Sequence, residues 1–90
     1  MNKSRVVLSE HAKQGATRRG IPETVVRRVA RSPEQTVLLR SGREVRQSRH
    51  SFLPDETIYL IRVIVDVTPG LVTVVTVYRT SKVAKYWRQQ

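Results

Sequence analysis

The spacing of apolar residues changes once along the chain. Up to about residue 32 the apolar positions recur at helical intervals, and beyond it they alternate. Arg5-Val6-Val7-Leu8 reads as a short leading strand. Ser9 then fits a helix N-cap, with Glu10 in the first turn where the helix dipole favours an anion. A first helix is expected to run to about Arg19, with Leu8, Ala12, Ala16 and Arg19 along one side and Gly20 as its stop. Pro22 opens a second helix. Pro22, Val25, Val26, Val29 and Ala30 make its apolar stripe, Arg27, Arg28 and Arg31 point away, and Ser32-Pro33 ends it.

Four segments of period two follow. Gln35–Arg40 and Arg43–Ser51 flank a Ser41-Gly42 turn, and Leu53-Pro54-Asp55-Glu56 is a loop. Ile58–Val67 and Leu71–Arg79 are the strongest strands, joined through Pro69-Gly70, which suits a type II turn. Ser81–Arg88 reads as a last short helix. The expected fold is α+β, with two N-terminal helices packed on a four-stranded antiparallel sheet. It occupies residues 5–88 as one domain, with 1–4 and 89–90 as flexible termini. With a plain two-residue turn, Thr68 opposes Leu71 and Tyr78 opposes Ile61. The face of Ile61, Val63 and Val65 then also carries Thr76, Tyr78 and Thr80, where the first helix approaches them.

Ninety residues suffice for one small core. The absence of cysteine excludes disulfide scaffolds, thiolate metal sites and cysteine nucleophiles. No apolar stretch is long enough to cross a bilayer as a helix and no secretory leader is visible, so a cytoplasmic protein is expected. The net charge of +10, much of it arginine, makes a polyanion the expected partner, RNA or DNA first. No membrane association is expected, and oligomeric state is open. The two histidines, His11 and His50, have no ligand-spaced neighbours, so no metal and no cofactor are expected.

RNA can be cut without a metal, because its 2′-hydroxyl can attack the adjacent phosphorus. That reaction needs a proton acceptor, cations for the phosphate and a donor for the leaving oxygen. The candidate catalytic set is His11, Arg18, Arg46, Thr76 and Tyr78. Arg19, Arg49, Arg79, Thr80 and Lys82 would extend the surface along the nucleic acid. Each also has a structural reading: a half-exposed helix histidine, an arginine on terminal carbonyls, a solvated strand face, a tyrosine at a core rim. The expected function is therefore a metal-independent endoribonuclease. Its competitor is a non-catalytic basic module that binds nucleic acid or an acidic protein.

Leu8-Ser9-Glu10-His11-Ala12, Arg18-Arg19-Gly20-Ile21-Pro22, Pro33 and Val75-Thr76-Val77-Tyr78-Arg79-Thr80 resemble the S-x-H-A … R-G-I … P … V-T-V-Y-R-T pattern of domain of unknown function 4258, a small prokaryotic family. The resemblance spans residues 5–80. That family looks related to the RelE-like toxins and to the wider barnase–EndoU–colicin–RelE group of small metal-independent ribonucleases. The resemblance implies two helices before a four-stranded antiparallel sheet. It also implies RNA cleavage in a toxin–antitoxin setting, RNA on the ribosome as one substrate, and a cognate antitoxin or immunity protein. His11 matches the helix histidine, Arg18 or Arg19 the arginine before Gly-Ile, and Thr76 and Tyr78 the last-strand polar residues. Many RelE-like toxins instead gather Lys, Arg and a late Tyr, with no histidine on the first helix.

Overall fold

Val6 and Leu8 alternate with solvent-facing neighbours, and Arg5–Leu8 forms strand β1 in the computed structural model, which describes residues 4–54 and 56–89. The expected flexibility of residues 1–3 and 90 lies outside the described residues. Helices α1 (Glu10–Arg18) and α2 (Glu23–Arg31) follow. Next come β2 (Gln35–Arg40), β3 (Arg43–Ser51), β4 (Ile58–Thr68) and β5 (Leu71–Thr80), then a single helical turn, α3 (Val83–Tyr86). The fold is α+β, but the sheet has five strands in the order β1-β5-β4-β3-β2 and is mixed. β1 docks parallel to β5, Arg5 beside Leu71 and Leu8 beside Val74. The expectation of four antiparallel strands is thus corrected: everything between β1 and β5 serves as the long crossover that a parallel pair needs.

Both long helices lie on one face of the sheet. Val25, Val26, Val29 and Ala30 of α2 bury as the helical spacing predicts. The side of α1 that buries is made of Ala12, Gly15 and Ala16. Such small residues bring α1 close to β5; a Cβ on Gly15 would stand 3.7 Å from the Val77 carbonyl oxygen. Gly20, at φ +65°, supplies the left-handed residue that lets the chain leave α1. Among the described residues no helix is long and apolar enough to cross a membrane.

One residue decides what each sheet face carries. Ile64 pairs with Thr76, whereas Val65 pairs with Val74, so Val75 is an extra residue in β5. The bulge reverses the alternation. Val77 rather than Tyr78 joins Val72 and Val74 in the helix-side core, and Tyr78 stands opposite Arg62 instead of Ile61. Thr76, Tyr78 and Thr80 therefore lie on the face away from α1, contrary to the expectation from a plain hairpin. Ser9 explains how the bulge is held. Its N–H donates to the Val74 carbonyl (3.0 Å) and its hydroxyl to the Val75 carbonyl (3.3 Å), while its Oγ accepts from the Ala12 N–H as the cap of α1. The residue that starts α1 also occupies the carbonyl at the bulge.

Candidate nucleic-acid interface

Arg62 is a lone cation in the middle of the longest strand. Alternation within β4 puts it on the face opposite the helices, between Gln47 of β3 and Tyr78 of β5. Its Nε donates to Gln47 Oε1 (2.9 Å) and its Nη1 to the Tyr78 hydroxyl (2.5 Å). The guanidinium also lies 4.3 Å from the centre of the Tyr86 ring. Gln47 is fully buried and completes the network: its amide donates to Gln35 Oε1 (2.8 Å) and to the Tyr86 carbonyl (3.2 Å). Gln35 in turn binds the backbone of Arg88 through both halves of its amide. These amides pin the segment after β5 across the sheet. That segment is helical only over α3, because the Trp87 backbone is extended and the backbone N–H and carbonyl of Arg88 pair with Gln35.

The result is a cleft of about 440 Å³ lined by Arg62, Lys85, Tyr86, Trp87, Arg88 and Gln89. Among the described residues it holds three cations, two large aromatic rings and no carboxylate. Arg49 flanks it, with its guanidinium 4.3 Å above the Trp87 ring and its N–H groups on Glu34. That pairing holds the Glu34 carboxyl below its ordinary range. Arg43 does the same to Asp66 further along this face.

The structure divides the residues singled out from the sequence. Tyr78 is at the centre of the cleft network, and Thr76 and Thr80 share its face. The Thr80 hydroxyl accepts from the Lys82 N–H (3.0 Å), so it shapes the turn into α3, and Lys82 is exposed at that turn. Arg49 lies at the margin. His11 and Arg18 are on the other side of the sheet, exposed on α1, where Arg18 lines a shallow depression with Lys13, Gln14 and Thr17. Arg19 bonds back to the Gly15 carbonyl at the end of the same helix. Arg46 faces the helices too. It is largely buried, ion-paired to Glu44 and donating to the Ala30 carbonyl, so it caps α2. Arg79 follows Tyr78 by one residue and so points to the helix side. The expected convergence of His11, Arg18 and Arg46 with Thr76 and Tyr78 is not formed, because the bulge and strand alternation put the two groups on opposite faces.

Sequence reasoning passed over Arg62, Gln47 and Gln35. A signal was present: a single arginine inside the apolar run from Leu60 to Val65 must find buried polar partners, and glutamines on neighbouring strands are suited to supply them.

On the helix side, His50 of β3 accepts a hydrogen bond at Nδ1 from Arg28 (2.8 Å). Burial, and then the Arg28 charge, hold this imidazole below its usual value of 6.5. The unfolded chain therefore takes up this proton first as the pH falls, so the contribution of His50 to stability is full above about 6.5 and is lost below it. A thermal melt is expected to show a Tm that drops between pH 7 and 5. His50→Gln, which has no proton to gain, is expected to flatten that part of the curve.

Compared with family models, curated proteins and solved structures, the chain has no significant match.

Proposed function

We propose that this protein binds single-stranded RNA in the Arg62 cleft. The observation that carries the reading is a guanidinium framed by a tyrosine hydroxyl and a tyrosine ring, in a cleft with two further cations and, among the described residues, no acid. Phosphates suit the Arg and Lys groups, and Tyr86 and Trp87 offer rings on which bases stack without regard to sequence. The net charge of +10 adds long-range attraction for any polyanion. Fluorescence anisotropy with a labelled oligoribonucleotide is expected to show saturable binding. Its logarithm should fall linearly with the logarithm of salt concentration, by roughly 0.7 for each phosphate neutralised. Binding that ignores salt, or no binding below 100 mM salt, would remove the proposal.

The hydrogen bond from Arg62 to the Tyr78 hydroxyl favours a second reading, metal-independent RNA cleavage in a RelE-like arrangement. There Arg62 would hold the scissile phosphate and Tyr78 would donate a proton to the leaving 5′ oxygen. It needs no histidine, in keeping with the RelE-like toxins that gather Lys, Arg and a late Tyr. Binding takes precedence because no imidazole or carboxylate among the described residues lines the cleft to accept the 2′-hydroxyl proton. The readings separate on a gel of RNA incubated with the protein in excess EDTA. Intact RNA supports the binding module, and fragments ending in 2′,3′-cyclic phosphate, lost in Tyr78→Phe, support the nuclease.

A further inference from the structure

The opposite face carries a second basic and aromatic constellation. Arg79, on the helix side of β5, has its guanidinium 4.9 Å from the Phe52 ring centre and 4.7 Å from that of Tyr59. Phe52 meets His50 edge-on at 4.6 Å and Tyr59 at 5.9 Å. His50 and Tyr59 are cross-strand partners, and Arg28 reaches His50 from α2. Residues from α2, β3, β4, β5 and the stretch after β3 thus form one continuous group. Arg28 is exposed, and His50, Phe52, Tyr59 and Arg79 are half-buried.

The donor inventory of this group is unbalanced. Contact with a ring face uses the charge of Arg79 and leaves its guanidinium N–H groups without a hydrogen-bond acceptor among the described residues. Arg28 donates one N–H to His50 and retains the others. Since arginine can only donate, His50 Nδ1 must be the acceptor, so the hydrogen of the neutral ring is on Nε2, which is a further donor. Among the described residues no carboxylate pairs with either arginine; the ion pairs found there use Arg27, Arg43, Arg46 and Arg49. Two guanidiniums, an imidazole and a phenol are thus linked through one chain of contacts in which, among the described residues, no carboxylate takes part.

We propose that Arg28, His50, Tyr59 and Arg79 form a second anion site that takes a phosphate group of a nucleotide or RNA strand. The rings of Phe52 and Tyr59 hold Arg79 in place for a forked contact with two phosphate oxygens. A bound phosphate lies beside His50 and favours its protonated form, so the ring gains a proton on binding and exchanges its bond from Arg28 for one to the ligand. The groups that face the ring and set this exchange are Arg28 from α2, Tyr59 from β4 and, through Phe52, Arg79 from β5. This site does not depend on the Arg62 cleft, from which the sheet separates it.

Ring-proton NMR tests the site directly, since the chain has only two histidines and His11, exposed on α1, is an internal reference. The probes are inorganic phosphate, uridine 5′-monophosphate and the dinucleotide UpU. The expected result is a saturable shift of the His50 ring, a higher His50 titration midpoint with ligand than without, and a static His11 ring. Response to the two monoester-type probes alone identifies a terminal phosphate as the ligand; response to UpU as well identifies an internal phosphodiester. Arg79→Ala should weaken the response at least tenfold. Should that variant fail to fold, Arg28→Ala, on the exposed face of α2, should weaken it severalfold. Equal shifts at both histidines, no shift at His50, or full response in a folded arginine variant would overturn the proposal. The Trp87 indole reports the other cleft in the same spectra, so loss of RNA binding there is read separately.

Discussion

Arg62→Ala is expected to lower the affinity for single-stranded RNA by at least tenfold. A charge-assisted hydrogen bond contributes about 1.5–3 kcal/mol, and each 1.4 kcal/mol is about a factor of ten in Kd. Two further consequences distinguish a phosphate-binding guanidinium from general basicity. The salt dependence should become shallower by about one phosphate's worth, because one fewer counterion is released. Arg62→Lys should recover only part of the affinity, since an ammonium keeps the charge but cannot contact Gln47, Tyr78 and a phosphate in one plane. Anisotropy titrations of the three proteins at two salt concentrations measure all of this. Parental affinity in a folded Arg62→Ala protein would rule out the cleft as the RNA site. Melting curves must accompany the titrations, because truncation leaves Gln47 Oε1 buried without its partner.

The second large effect concerns two adjacent residues. Leu60 and Ile61 are both fully buried, yet alternation sends Ile61 into the helix-side core and Leu60 to the face crossed by the C-terminal segment. Either change to alanine is expected to cost about 2–5 kcal/mol, the usual range for a buried aliphatic side chain. For a chain of this size that lowers Tm by about 10 °C or more. The two should differ in what loosens first. Leu60→Ala removes packing under the segment that Gln35, Gln47 and Arg49 hold down, so Trp87 fluorescence should change at a lower denaturant concentration than the far-ultraviolet circular dichroism. In Ile61→Ala the two signals should move together. Coincident transitions in both proteins would mean that the segment is not a separate layer.

Much of the fold could be read directly because its signals are local. Val25, Val26, Val29 and Ala30 of the α2 stripe buried as spaced while Pro22 stayed exposed at the cap, the Ser41-Gly42 and Pro69-Gly70 turns connect the expected strands, and Ser9 caps α1. Each depends on residues within a few positions of one another, where spacing and backbone preference act alone. The candidate site was only partly legible. Tyr78 and its threonine neighbours were identified as residues of one face, but the face itself was assigned wrongly. Arg46 looked like a phosphate ligand because its charge is visible in the sequence, whereas Glu44 and the end of α2, which occupy it, come together only in the folded chain.

Residue order by itself determined the α+β class, the position of nearly every element and the net charge of +10. Tertiary structure alone decided that β1 joins the sheet beside β5 and that Val75 is squeezed out of register with β4. The first depends on pairing across 66 positions, Arg5 with Leu71. The second depends on Ser9, equally distant, bonding the carbonyl of the bulged residue (|i−j| = 66). Alternation has a period of two, so a single inserted residue moves every later side chain to the other face. That shift takes Tyr78 away from His11 and delivers it to Arg62.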